Sequence, residues 1–416
     1  MSGFDALSFW READFRGAMD WYRAVSANRL PAKFRVCAAL PAGVALDALE
    51  DELWGALAAG SRDFLELQRR VREGARLPQA RPHPSLLDLV AELGRRMLAH
   101  CNFCRWDCRV DRSAGAKLGA CKLAAETRVS SHFHHGGEEL VYRGTHGSGT
   151  IFFTSCNMRC AFCQNGDIST DRLNGEAVSA RTLATIAWVL RLEGCHNINW
   201  VGGDPTIHLH TILEAVALLP GLEPGEEDLR AALATKADWY ADFGPRRASA
   251  LLDGSFNAPM LWNSNFFQSD EAMRLLRLTM DVWLPDFKFG PGRCAIELAR
   301  TGWYWETVTR NLLALRDWGE DFTIRHLVMP GHVECCTVPV LDWIAAQMPG
   351  VPVNIMDQYH PDNYCDAAGP KFLERYRPLA RRPRRDEILA AYRHARERGL
   401  RFEALSYERN KTGVTL

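Results

Sequence analysis

The chain has 416 residues, 47% of them hydrophobic, 24% charged and 10% aromatic, and its 50 Lys and Arg against 51 Asp and Glu leave a net charge of -1. Such a composition belongs to a globular protein with two or three units at roughly 100–200 residues each. It excludes a disordered or fibrous chain, and the balanced charge gives no global field for nucleic acid. No run approaches the ~18 apolar residues of a membrane span, and no basic stretch followed by an apolar one opens the sequence. The expectation is a cytoplasmic protein with neither nucleic acid nor membrane as a partner.

Residues 1–97 are rich in Ala, Leu, Arg and Glu, and Leu86, Leu87, Leu89, Val90, Leu93 and Met97 recur at helical spacing, which predicts a helical N-terminal region. From 98 to 149 the texture changes to Cys, Gly, His and Arg with little periodicity, as expected of a Cys-rich segment tied down by metal. Residues 150–365 alternate short apolar runs with longer periodic ones. TIFFTS, NINWVGG, PMLWNSN, VWLPDFK, TIRHLVMP and VNIMDQYH read as strands, and 180–193, 208–219, 269–279, 296–316 and 337–347 as helices. Strand and helix repeated in this way predict parallel strands with right-handed crossovers, an α/β sheet or barrel with its chemistry at the C-terminal strand ends. The link 220–258 is long enough to be a lid or a substrate-contacting insert, and an extra surface helix accounts for it equally well. Residues 366–416 read as a C-terminal helix and tail.

Seven of the 13 cysteines lie between positions 101 and 163. In a reducing compartment such clustering points to metal ligands rather than disulfides. Cys156, Cys160 and Cys163 form a C-x3-C-x2-C array directly after an apolar strand. Three thiolates occupy three corners of a four-iron cluster and leave its fourth iron open to a cofactor, whereas structural zinc wants four closed ligands and no fourth Cys or His follows closely. Upstream, Cys101, Cys104, Cys108 and Cys121 suit either an all-thiolate zinc site or a second iron–sulfur cluster, and spacing does not choose between them. Cys37, Cys195, Cys294, Cys335, Cys336 and Cys365 are scattered and read as small buried hydrophobes. His132, His134 and His135, with Glu138 and Glu139, read as a polar loop near the barrel mouth.

The three-cysteine array, Phe162 just before its last cysteine, and the run Gly202, Gly203, Asp204, Pro205 on the next strand together resemble the radical S-adenosylmethionine (SAM) superfamily. The ordered series GSGTIFFTSCNMRCAFCQN, VGGDPTIHLHTIL, WNSN, DVWLPDFKFG, IRHLVMPGH and VNIMDQYHP is similar to proteins related to pyruvate formate-lyase activating enzyme, over roughly residues 98–365. The resemblance implies a partial (β/α)6 TIM-type barrel, a [4Fe-4S] cluster on Cys156, Cys160 and Cys163, and SAM chelated to its open iron. It also implies a 5′-deoxyadenosyl radical that abstracts hydrogen from a substrate. Further roles follow from the same resemblance. Phe162 joins the cofactor-binding set, and Gly202, Gly203 and Asp204 receive the SAM amino group, with Asp204 where the family more often has Glu. Asn263, Ser264 and Asp286 fall among polar groups around a cation beside the SAM carboxylate, Asn263 standing in place of an Asp. Lys288 and Arg325 place positive charge near that carboxylate, and His360 contacts the adenosyl part.

The expected function is a radical SAM enzyme acting on a small-molecule or peptide substrate, with a reductant such as flavodoxin or ferredoxin. An activase that installs a glycyl radical on a partner enzyme is the alternative within the family. A non-catalytic iron–sulfur protein for electron transfer or redox sensing is the alternative of another class. The complete set Gly202, Gly203, Asp204, Lys288, Arg325 and His360 argues against it, since an electron carrier needs no SAM pocket.

Overall fold

The computed structural model describes residues 17–78, 80–233 and 250–407; the chain before 17, the middle of the 220–258 link and the tail from 408 lie outside the described residues. Four helices lead: α1 (Asp20–Ser26), α2 (Lys33–Ala38), α3 (Glu50–Arg72) and α4 (Leu86–Arg96). Ser85 caps α4, accepting the Asp88 N–H at 3.3 Å while Asp88 accepts the Ser85 N–H at 2.8 Å.

Strand β1 (Arg128–His135) pairs antiparallel with β2 (Ser148–Phe153), and the two-residue β3 (Glu176–Ala177) edges β1. Strand β4 (Ile198–Gly202) lies parallel to β2. A small hairpin, β5 (Leu251–Leu252) and β6 (Ser255–Phe256), precedes β7 (Met260–Ser264), which runs parallel to β4, and β8 (Val282–Pro285) follows parallel to β7. Parallel bridges Trp283–Phe322 and Asp286–Arg325 carry the curve on to β9 (Ile324–Leu327), and β10 (Val353–Met356) pairs parallel with β9. The order β2-β4-β7-β8-β9-β10 is therefore six parallel strands, and among the described residues β10 does not pair back to β2 or β1. This is the partial (β/α)6 barrel expected, with all six strand candidates in place.

The connecting helices, after the short α5 (Leu140–Arg143) and α6 (Gly166–Thr170), are α7 (Ala180–Leu192), α8 (Leu209–Leu218), α9 (Glu226–Leu233), α10 (Asp270–Arg277), α11 (Cys294–Ala299), α12 (Tyr304–Trp318) and α13 (Val338–Gln347); α14 (Arg385–Glu397) follows β10. Ile151, Trp200, Trp262 and Trp283 stand at one register on four neighbouring strands and are fully buried, a row of large side chains on the helix-facing side of the sheet.

Helices α1 and α2 meet the end of the barrel where the strands begin. Asp281, just ahead of β8, accepts the Trp21 Nε1–H at 2.7 Å and the backbone N–H groups of Lys33 and Met260, each at 2.8 Å. Asp321, ahead of β9, accepts the Tyr22 N–H at 2.8 Å. The hairpin that ends the 220–258 link sits at the same end, just ahead of β7, whereas Asp228 in the helix Glu226–Leu233 pairs with Arg181 in the first turn of the helix Ala180–Leu192. Phe256 of the hairpin packs on Trp188 and Phe34, and the Asn257 side chain accepts the Ala32 N–H at 2.8 Å.

His132, His134 and His135 differ from expectation, since they form part of β1 rather than a loop. His132 and His134 face the helix layer, bonded to Ala232 O at 3.1 Å and to Glu193 at 2.6 Å. With imidazoles at the buried positions, the two-residue alternation of this strand carries no hydrophobic signal.

Candidate active site

The three-cysteine loop leaves β2 at its C-terminal end, turning through Ser155 at φ +65°. Neighbouring backbone holds it on several sides. Arg159 N–H donates to Ala299 O at 3.0 Å and Ala161 N–H to Leu298 O at 2.7 Å, both carbonyls at the end of α11, and Tyr364 N–H donates to Ala161 O at 3.0 Å. The end of β4 is pressed against the same loop: Gly203 N–H meets Phe153 O at 2.7 Å and Asp204 N–H meets Ser155 O at 3.0 Å. A Cβ at Gly203 would stand 1.7 Å from Ser155 O, so glycine is required here for the approach of one backbone to another.

Cys156 is buried and Cys160 and Cys163 are partly buried. Burial pushes all three thiols up, Cys160 to about 12 although the Lys288 ammonium pulls it down. Around them stand hydrogen-bond donors: Met158 N–H at 3.3 Å and Asn265 Nδ2 at 3.6 Å from Cys156 Sγ, and the Ser169 hydroxyl at 3.3 Å from Cys163 Sγ. Three desolvated thiols with one nearby ammonium are a poor place for free thiolates and a good one for a cationic iron–sulfur centre, whose sulfur ligands such donors stabilise. The residues fit a cluster with three protein corners.

Polar groups from successive strand ends converge on this loop. Asp204 accepts the Thr206 N–H at 3.0 Å and the Asn265 N–H at 2.9 Å, and burial pushes its carboxyl up to about 6 against these donors. Asn265 Nδ2 donates to Asn157 Oδ1 at 2.6 Å, and Ser264 Oγ accepts from Phe266 N–H and Gln268 Nε2. Lys288 pairs with Asp286; burial lowers the ammonium, and Asp286 with Cys160 outweighs it, leaving Lys288 raised. Tyr304 ties the pair down, its hydroxyl accepting the Lys288 N–H at 2.9 Å and donating to Asp286 O at 3.0 Å. The Phe162 ring lies 6.1 Å from Phe289 and 5.8 Å from Tyr359. Asn265 and Tyr304 were not singled out in the sequence. Asn265 carried a signal, as the first residue past the C-terminal end of β7; Tyr304 is recognisable only through its contact with Lys288.

Two other expected site residues are engaged from beneath. Glu138 and Glu139, on the connection from β1 to α5, rise from the N-terminal end into the barrel and pair with Arg325, whose Nε donates to Glu139 at 2.7 Å. Asn199 and Asn354 donate to the same two carboxylates, each at 2.7 Å, and Asn263 joins at 3.4 Å. His360 is exposed, its Nδ1 3.1 Å from Asp362.

The upstream cysteines abut the first loop. Cys101, Cys104 and Cys121 are buried and Cys108 is partly so; burial, with Cys101, Cys121 and Cys108 close by, raises Cys104. Trp106 Nε1–H donates to Asn157 O at 2.7 Å, the Ser155 hydroxyl to Cys121 O at 2.7 Å, and Arg159 to Ala120 O at 2.9 Å.

A parallel partial barrel with a three-thiol loop after its first parallel strand defines a class of iron–sulfur enzymes, and comparison gives the family. The pattern of the radical SAM superfamily matches residues 150–344, and the chain belongs to that superfamily. It is therefore an enzyme whose cofactors are a [4Fe-4S] cluster and SAM. The chain is 34% identical to the uncharacterized protein MJ0674 of Methanocaldococcus jannaschii over 284 residues, 67% of this chain and 71% of that one. Structures of Streptococcus suis SuiB bound to precursor peptide SuiA and to S-adenosylmethionine are 12% and 13% identical, each with a TM-score of 0.36. They cover 60% of this chain, which spans 46% and 48% of those chains. Among the described residues no helix is long and apolar enough to cross a membrane.

Proposed function

We propose that this enzyme abstracts hydrogen from a compact organic substrate, a small molecule or a peptide, held at the C-terminal rim of the barrel. When bound, the cluster and SAM supply the one-electron cleavage that yields a 5′-deoxyadenosyl radical. The protein's part is binding and shielding. Lys288, fixed by Asp286 and Tyr304, supplies a positive charge suited to a carboxylate, and Gly202 and Gly203 let the end of β4 press on the three-cysteine loop. Phe162, Phe289 and Tyr359 form an aromatic wall that excludes water.

One observation carries the choice of a compact substrate: the chain's own segments flank the cluster loop on both sides. Tyr364 and Asn363 bond to Ala161 O and Cys160 O on one side, and Trp106 to Asn157 O on the other. These flanking contacts support a compact substrate over a docked protein surface. Cys101, Cys104, Cys108 and Cys121 are read as holding a second iron–sulfur cluster or a zinc ion. Beside them a cavity of about 440 Å³, lined by Lys122, Arg159 and Arg172 with Asp171, gives this flank a positive character suited to an acidic reductant such as flavodoxin or ferredoxin.

The test is anaerobic incubation with SAM, dithionite and a deuterated extract of metabolites and peptides. Deuterium is expected in the 5′-deoxyadenosine. A glycyl radical appearing by electron paramagnetic resonance on a partner protein, with no label transferred from the extract, would replace this reading by the activase.

A further inference from the structure

Cys294, Cys335 and Cys336 are not the isolated buried thiols that their spacing suggests. Together with His332 they form a group whose ligand atoms all lie within 4.8 Å of one another. Cys294 Sγ is 3.5 Å from His332 Nδ1 and 3.6 Å from Cys335 Sγ, His332 Nδ1 is 3.2 Å from Cys335 Sγ, and Cys335 Sγ is 4.0 Å from Cys336 Sγ. Tetrahedral zinc with Zn–S of ~2.3 Å and Zn–N of ~2.0–2.1 Å needs ligand separations of roughly 3.5–3.8 Å. We propose that Cys294, His332, Cys335 and Cys336 bind one zinc ion in a closed Cys3His site.

The chemistry of the set narrows the ion. Three thiolates and an imidazole exclude magnesium and calcium, which take oxygen ligands, and four protein donors in tetrahedral reach leave no open position for substrate. The spacing is that of one ion, since a four-iron cluster would place each thiolate on a different iron.

Local structure explains how residues so far apart in sequence meet. After β9 the chain makes a π-type turn over Val333–Thr337, in which both Cys336 N–H and Thr337 N–H bond to His332 O, at 3.0 and 3.2 Å. This turn puts His332 and Cys335 on one side with Cys336 beneath them, and such turns recur at functional sites. The loop after β8 presses on it: a Cβ at Gly290 would lie 2.1 Å from Cys335 O. Four residues on, Cys294 opens α11.

The site therefore joins the loops after β8 and β9. Its reach extends further, because the far end of α11 supplies Leu298 O and Ala299 O to the N–H groups of Ala161 and Arg159 in the three-cysteine loop. Zinc here is a structural clamp that fixes α11 and through it the loop carrying Cys156, Cys160 and Cys163.

The test uses the full chain purified anaerobically, with zinc quantified per chain and cobalt(II) substitution followed by absorption. Zinc bound elsewhere is common to all samples, so the readout is the difference from wild type. Cys335→Ser changes an exposed side chain and His332→Asn an intermediate one, and circular dichroism checks that each variant is folded. Each is expected to lose one equivalent of zinc and the intense visible bands of a tetrahedral thiolate–cobalt centre, with far-ultraviolet dichroism unchanged. Wild-type zinc content and cobalt spectra in both variants would overturn the site. So would recovery of Cys294 and Cys335 from the wild type as a disulfide without metal.

Discussion

The two ends of the barrel differ in what their buried polar groups meet. Toward the N-terminal end buried charges meet partners within the protein: Asp281 takes three N–H donors although burial still pushes its carboxyl up to about 6, and Lys33 pairs with Glu320; inside the barrel Arg325, bridged to Asp286, answers Glu138 and Glu139. At the C-terminal end three thiols are desolvated around the Lys288–Asp286 pair, and their pKa values are driven up. One end is complete as protein. The other holds three thiols that stay protonated unless a metal centre takes them as thiolates, which suits a cofactor site.

Substitutions at the two ends should therefore fail differently. Cys160→Ala is expected to abolish incorporation of the first [4Fe-4S] cluster, read as the loss of one cluster's iron and visible absorbance relative to reconstituted wild type, while the urea midpoint of the metal-free chain stays near wild type. Arg325→Met leaves two buried carboxylates without a counter-charge and should cost about 3–5 kcal/mol of stability in urea unfolding. An unchanged midpoint with weakened SAM binding would instead move Arg325 from the scaffold to the site.

The pH dependence separates the ends again. Burial alone would raise Glu139, but the Arg325 guanidinium more than reverses this and holds its carboxyl well below the usual range. A depressed carboxyl stabilises the fold above its ordinary pKa of ~4.3 and loses that contribution as pH falls through the lower folded value. Glu139→Gln should flatten this acid limb of stability, measured by urea midpoints from neutral pH downward. Smallest is Trp106→Phe, which removes one hydrogen bond between the two cysteine segments and should cost about 1 kcal/mol. A change in the spectrum of the first cluster in this variant would show that the two segments are coupled.

The catalytic end was far more legible in the sequence than the scaffold end. The six barrel strands are short apolar runs bounded by Gly, Pro, Asn and Asp, and the C-x3-C-x2-C array is local, so both could be read from neighbouring residues. The pairing of Arg325 with Glu138 and Glu139 spans 187 and 186 positions, and no local pattern announces it. Strand β1 hid its alternation behind histidines. Cys294 and His332 lie 38 residues apart and meet only because β8 and β9 are neighbours and a π-type turn follows β9. The N-terminal helices were recognisable as helices, but which end of the barrel they cover depends on Asp281 and Asp321, whose partners lie more than two hundred residues away in the chain.

We propose that Cys156, Cys160 and Cys163 make the C-terminal end a radical SAM centre. The most direct measurement is 5′-deoxyadenosine release by the anaerobically reconstituted full chain given SAM and dithionite. Steady formation of 5′-deoxyadenosine by the wild type and none by Cys160→Ala is expected. A wild-type sample with an intact [4Fe-4S] spectrum and no 5′-deoxyadenosine would contradict it.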